Sequence, residues 1–130
     1  MTEAHDVDII LKLWELANST EAQRARLWMY GSFEARDYGD FQAKYPTGSR
    51  EWHNFIHTCG MMELFGVLVN RQLVDEDLFF DLFGGLEILW ARVKPVIVGM
   101  RQDIDPRLYE NFELLVARCL AWKVAHPARV

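Results

Sequence analysis

The sequence predicts an all-α single domain spanning residues 1–130, a bundle of five or six helices around a central buried helix at about residues 50–71. Three observations support this. Apolar residues recur at helical spacing along most of the chain. No segment alternates as a half-buried strand does. Residues 52–69 are apolar on nearly every side of a helix, and such a helix is expected to be buried on all sides. At 130 residues with 51% hydrophobic residues, the chain can form one core without a second domain.

Two helices are predicted in the N-terminal third. Asp6 or Asp8 can cap a first helix that ends near Asn18. Thr20 followed by Gln23 has the spacing of a capping box, which indicates a second helix through about residue 35. The apolar stripe expected to face the core on the first helix consists of Val7, Ile10, Leu11, Leu13, Trp14 and Ala17.

Residues 37–49 contain two glycines and a proline and predict a loop with one helical turn at most. The aromatic side chains of this loop are Tyr38, Phe41 and Tyr45. They either anchor the loop to the core or form part of a binding surface. Anchoring is the favoured interpretation.

Helix signals continue through the C-terminal half. Asp75 is a predicted N-cap followed by acidic residues in the first turn. Gly84-Gly85 either weakens this helix or lets another backbone approach closely, and the apolar stripe resumes at Leu86 up to Pro95. Pro95 predicts a kink or a restart near residues 93–94. Asp105-Pro106 predicts the start of the last helix, which should end near His126.

Composition and cysteine usage narrow the classes of protein. A net charge of −5 with scattered basic residues argues against a nucleic-acid partner. No apolar run reaches the roughly 18 residues of a membrane span, and the N-terminus has no secretion-signal pattern. Cys59 and Cys119 lie at apolar mid-helix positions, which predicts buried thiols in a reducing compartment. We therefore expect a cytoplasmic protein with no membrane partner.

Motifs for catalysis are missing from the sequence. It has no serine between glycines at a nucleophile elbow and no glycine-rich phosphate loop, so we expect no catalytic residue and no cofactor. An enzyme is the less favoured interpretation. His53 and His57 are four residues apart on one helix, which leaves a metal site as a weak alternative. Asn54 stands where a zinc protease would need glutamate.

Glu63 is a carboxylate within the apolar half of the central helix. An unpaired carboxylate in such a place costs several kcal/mol, so Glu63 should have a partner. Arg101 follows an apolar run, and its guanidinium fork suits a buried carboxylate. We predict a Glu63–Arg101 ion pair, with Trp90 or Tyr109 as an additional donor.

This pair is either structural or the centre of a binding site. If it binds a ligand, the candidate ligand-binding residues are Glu63, Arg101, His57, Trp90 and Tyr109.

Several short segments carry a resemblance to a known family. Glu63-Leu64-Phe65-Gly66, residues 73–76, residues 90–97 and Arg101 resemble the DUF4760 family, a bacterial group of small helical domains of unknown function. The similar region runs from about residue 28 to residue 112. The resemblance implies a helical fold and supplies no activity. Some members of the group carry a membrane helix ahead of the domain, whereas this chain has an amphipathic helix there.

Two functions remain as hypotheses. The first is a helical interaction or regulatory module that forms a homodimer or binds an unidentified protein, because the chain has more large apolar residues than 130 residues easily bury. The second is a small-ligand pocket or enzyme centred on Glu63 and Arg101. The expected exposed apolar patch consists of Trp28, Phe80, Trp122 and Val124.

Overall fold

Seven α-helices and no β-strand make up residues 3–130, which are the residues that this computed structural model describes. The predicted all-α fold is confirmed, but the number of helices is seven rather than five or six. The helices are α1 (Ala4–Ala17), α2 (Thr20–Gly31), α3 (Tyr38–Lys44), α4 (Arg50–Asn70), α5 (Glu76–Leu82), α6 (Leu86–Asp103) and α7 (Glu110–Ala125).

Helix α1 directs only part of its apolar surface into the core. Ile10, Leu13 and Ala17 are buried, together with the carboxylate of Asp6, which accepts the backbone N–H of Glu3 at 2.7 Å in a capping box. The prediction that the whole apolar stripe faces inward is therefore wrong. The exposed members of that stripe are Val7, Leu11 and Trp14.

The predicted loop at residues 37–49 contains the short helix α3. This helix forms because the Asp37 carboxylate accepts the backbone N–H of Asp40 at 2.8 Å and because Phe41 is buried. The Phe41 ring lies 4.6 Å from the ring of Phe55 on α4, measured between centroids, and 5.7 Å from that of Tyr45. The aromatic side chains thus anchor the segment to the core.

Helix α4 is the central helix, close to the predicted bounds. It packs most extensively against α7 and next against α2. It is not buried on all sides as predicted, because His53, Gly60 and Leu64 are exposed. Its approach to α7 is closest at Gly66, where a Cβ atom would lie 2.3 Å from the backbone oxygen of Asn111.

The helices after α4 differ from the prediction in three places. Asp75 caps α5 as expected, but α5 ends at Leu82 instead of continuing through Gly84-Gly85, and α6 begins after Gly85, whose φ of +75° suits glycine. Helix α6 runs through Pro95 as one helix. Helix α7 begins at Glu110 rather than near residue 105, because residues 105–109 form turns that end at Tyr109 with φ +57°.

One cluster of buried side chains joins all seven helices and includes the free thiols of Cys59 and Cys119. Burial of these two cysteines is confirmed. Within the described range, no helix has the combination of length and hydropathy that spanning a bilayer demands.

The close crossing of α4 and α7 gives a first test. Gly66→Ala should lower the free energy of unfolding by about 2 kcal/mol, because the new methyl group meets backbone rather than a movable side chain. Gly60→Ala is the matched control on the same helix, where a Cβ would meet nothing within 4 Å. It should raise stability by about 0.5–1 kcal/mol through helix propensity. Urea unfolding measures both, and equal effects of the two substitutions would contradict the close crossing.

Candidate functional site

The Glu63 carboxylate lies at the start of α7. One oxygen accepts the backbone N–H of Phe112 at 2.9 Å, and the other accepts the side-chain N–H of Asn111 at 3.0 Å. The first N–H groups of a helix have no partner within the helix, and the helix dipole favours a negative charge there. Glu63 therefore caps α7 from another helix.

Two further residues on the same face of α4 contribute to this contact. Asn70 donates its side-chain N–H to the backbone oxygen of Asn111 at 3.1 Å and to its side-chain oxygen at 3.2 Å. Gly66, between Glu63 and Asn70, lets the Asn111 backbone approach. We call this group the α4–α7 clasp; its residues are Glu63, Gly66, Asn70, Asn111 and Phe112.

Asn70 and Asn111 were not predicted as partners of Glu63. One sequence signal was present, because residues 63, 66 and 70 follow three-four spacing and so share one face of a helix. The other reason is visible only in the structure: Tyr109, at the N-cap position of α7, forms no side-chain cap hydrogen bond, so the first turn takes its acceptor from α4.

The predicted Glu63–Arg101 ion pair is wrong. Arg101 donates to the Glu113 carboxylate at 2.9 Å and to the backbone oxygen of Leu108 at 2.8 Å. Because α7 starts at Glu110, its first turns bring Glu113 to the end of α6, where it takes the place assigned to Glu63. The Arg101 guanidinium also lies 5.8 Å from the centroid of the Trp90 ring.

Trp90 and Tyr109 lie near the clasp, but the donors to Glu63 are Asn111 and Phe112 instead. Trp90 packs edge-on against the ring of Phe112 with centroids 5.0 Å apart. Burial raises the pKa of the Tyr109 phenol, and Cys59 and Glu63 raise it further. Tyr109 therefore stays neutral at physiological pH.

The two histidines of α4 lie apart from this cluster. His53 is exposed, and its ring lies 5.0 Å from that of Trp52. His57 is half-buried, and its Nδ1 atom has no hydrogen-bond partner. In the part of the chain that the structure describes, no three His, Cys, Asp or Glu residues are grouped so that they could hold a metal ion.

Another departure from the predicted surface is on α1. Val7, Leu11 and Trp14 are 43%, 56% and 45% exposed; we call these three residues the α1 stripe. The two residues that flank α5 both contact α1: Asp6 accepts the backbone N–H of Asp75, and the ring of Trp14 meets that of Phe83. Leu82 on α5 is 46% exposed and extends this apolar surface.

The apolar patch predicted elsewhere is largely absent. Phe80 is buried, and Trp28 and Trp122 are half-buried against the core. The Trp122 indole N–H donates to the carboxylate of Asp77 at 2.9 Å. Of the four residues, only Val124 is exposed.

The clasp can be tested by its effect on stability. Glu63→Ala should lower the free energy of unfolding by about 2 kcal/mol, because it leaves two donors of α7 without an acceptor. Glu63→Gln should cost less, since an amide oxygen can still accept from Phe112.

Double-mutant cycles identify the partner of Glu63. We expect coupling of about 1 kcal/mol between Glu63→Ala and Asn111→Ala, and below about 0.5 kcal/mol between Glu63→Ala and Arg101→Ala. A larger coupling energy with Arg101→Ala than with Asn111→Ala would support the Glu63–Arg101 ion pair and contradict the α4–α7 clasp.

A family model described as a domain of unknown function, DUF4760, matches residues 2–119. No curated protein and no solved structure matches the chain. The matched range includes the α1 stripe, the whole of the α4–α7 clasp and Arg101, so it covers nearly all of the helical core. The chain therefore belongs to the DUF4760 family of domains of unknown function.

Proposed function

We propose that this domain is a helical interaction module that forms a homodimer through the α1 stripe. The observation that carries the proposal is the exposure of Val7, Leu11 and Trp14 on one side of α1, although Ile10, Leu13 and Ala17 already fill the side facing the core. Contiguous exposed apolar surface of this kind marks interaction sites. An unpaired stripe costs free energy in water, and a second helix would cover it.

The spacing within the stripe suits a helix as the partner. Val7, Leu11 and Trp14 are separated by four and three residues, which is the spacing of side chains that pack between two helices. Leu82 widens the surface on the α5 side. Trp14 supplies a large aromatic side chain of the type that carries much of the binding free energy in protein interfaces.

Charges beside the stripe favour a second copy of the same chain. Asp8 and Lys12 are exposed, and neither forms an ion pair within residues 3–130. Both lie on the side of α1 away from the core, where Glu15 is also exposed. If two copies of α1 pack antiparallel through the stripe, about a two-fold axis that crosses the helix at the level of residue 10, Asp8 of each copy lies opposite Lys12 of the other. The symmetric contact thus forms two ion pairs from charges that form none within the described part of a single chain.

We propose that the module is cytoplasmic, because its two buried cysteines are free thiols and thiols stay reduced in that compartment. The alternative function, a ligand site or enzyme centred on Glu63 and Arg101, has less support. Both carboxylate oxygens of Glu63 accept hydrogen bonds from α7, and Arg101 is held by Leu108 and Glu113.

Sedimentation equilibrium tests the homodimer. The protein should self-associate with a dissociation constant in the micromolar range, about 8 kcal/mol of binding free energy. Leu11→Glu should abolish association, because it places a charge at the centre of the stripe. Ile104→Glu is the matched control: Ile104 is 61% exposed but lies at the C-terminal end of α6. A monomeric wild-type protein at high concentration, or equal effects of both substitutions, would contradict the proposal.

A charge exchange tests the antiparallel arrangement. Asp8→Lys and Lys12→Asp should each weaken dimerisation about tenfold, because each puts like charges opposite one another. The double variant Asp8→Lys/Lys12→Asp should restore the wild-type constant, since the charges are then exchanged but still opposite. Failure of the double variant to recover would rule out this arrangement, and association with an unrelated protein instead of a second copy would point to a hetero-complex.

A further inference from the structure

A cavity of about 200 Å³ lies between α1, α2, α4 and the segment that joins α5 to α6. Its walls are mostly apolar and include Met61, Met62, Phe65 and Phe83, all of which are buried. Trp14 borders the cavity and is half-exposed, so the cavity is reached from the surface beside α1. A dry apolar cavity of about 150 Å³ can bind a single benzene ring, so this one is large enough for one ring with a short substituent.

Among the described residues that line the cavity, Arg26 alone carries a formal charge. Its guanidinium donates one N–H to the backbone oxygen of Ala17 at the end of α1. Within the described chain, no carboxylate lies within 4.0 Å of it. A guanidinium has five N–H donors, so several remain free at the edge of an apolar cavity. A positive charge in this setting attracts an anion.

The second polar group at the cavity is a neutral one. Tyr30 donates its hydroxyl to the backbone oxygen of Gly85 at 2.8 Å, which fixes the ring as part of the wall. Burial, and the carboxylate of Glu87, raise the pKa of the Tyr30 phenol. The hydroxyl therefore stays protonated, and its oxygen can accept one further hydrogen bond without adding negative charge near Arg26.

We propose that this cavity binds a small carboxylic acid with a single aromatic ring or a short branched chain, its carboxylate paired with Arg26. The apolar part would lie among Met61, Met62 and Phe65. Methionine side chains are flexible and polarisable, so they adapt to ligands of slightly different shape. This inference does not rest on self-association: of the proposed dimer surface, Trp14 and Leu82 also line the cavity, whereas Val7 and Leu11 do not.

Phenylacetate and its uncharged analogue phenylacetamide are suitable probes. In protein labelled with ¹³C at the methionine methyl groups, phenylacetate should shift the Met61 and Met62 signals in a saturable way and leave Met100 unchanged. Met100 is buried on α6 and does not line the cavity, which makes it an internal control. Phenylacetate should bind about tenfold more tightly than phenylacetamide, because only the acid pairs with a guanidinium.

Substitutions of arginine complete the test. Arg26→Gln should reduce the affinity for phenylacetate to that for phenylacetamide. Arg24 is an exposed arginine on the same helix, and Arg24→Gln should change neither of the two affinities. If Arg26→Gln does not fold, the comparison of acid and amide in the wild-type protein still decides the question. Unshifted Met61 and Met62 signals, or equal affinities for the two probes, would overturn the proposal. The phenylacetate titration is repeated with the Lys12→Asp variant, whose dimer is weakened. Ligand binding should persist in this variant, which separates the cavity proposal from the dimer proposal.

Discussion

Helix ends in this protein are joined to other helices by charged side chains, and the arrangement of the bundle depends on these contacts. The three clearest cases are Arg26 with the carbonyl of Ala17, Arg92 with the carbonyls of Met29 and Phe33, and Glu63 with the N–H of Phe112. Backbone groups at helix ends have no partner within their own helix. A charged side chain from a neighbouring helix satisfies such a group and matches the sign of the helix dipole at that end. Because each contact joins two helices, it fixes their relative position as well as their ends.

The helices could be predicted from sequence where local signals determine them. Asp75 caps α5, and His126 follows the last residue of α7, as the sequence indicates. The inward side of α1 could not be predicted, because its apolar residues cover more than half of the helix circumference. Val7 and Leu11 are as apolar as Ile10 and Leu13, and only packing against the other helices decides which pair is buried. Helix α3 was predicted only as one helical turn within a loop, because its full length of seven residues depends on the burial of Phe41 against α4, which no local pattern shows.

The candidate site was predicted in part. The sequence identified Glu63 as a carboxylate that needs a partner, and the structure gives it two donors. It did not identify the partner, because one donor is a backbone N–H, which every residue except proline carries and which leaves no trace in side-chain composition. Arg101 was the natural choice among side chains. Its actual partner, Glu113, depends on where α7 begins, and that boundary follows from Tyr109 adopting a positive φ.

The hydrogen bonds of the α4–α7 clasp also bear on the order of folding. They join Glu63 and Asn70 to residues that lie 41 to 49 positions later in the chain. Closing a loop of that length costs conformational entropy before any contact repays it. The first turn of α7 therefore acquires its acceptor only after α4 has formed and the intervening segment has folded back. A ribosome that has exposed the chain only as far as α6 presents an incomplete bundle, so this domain reaches its native state after synthesis of α7 rather than piece by piece.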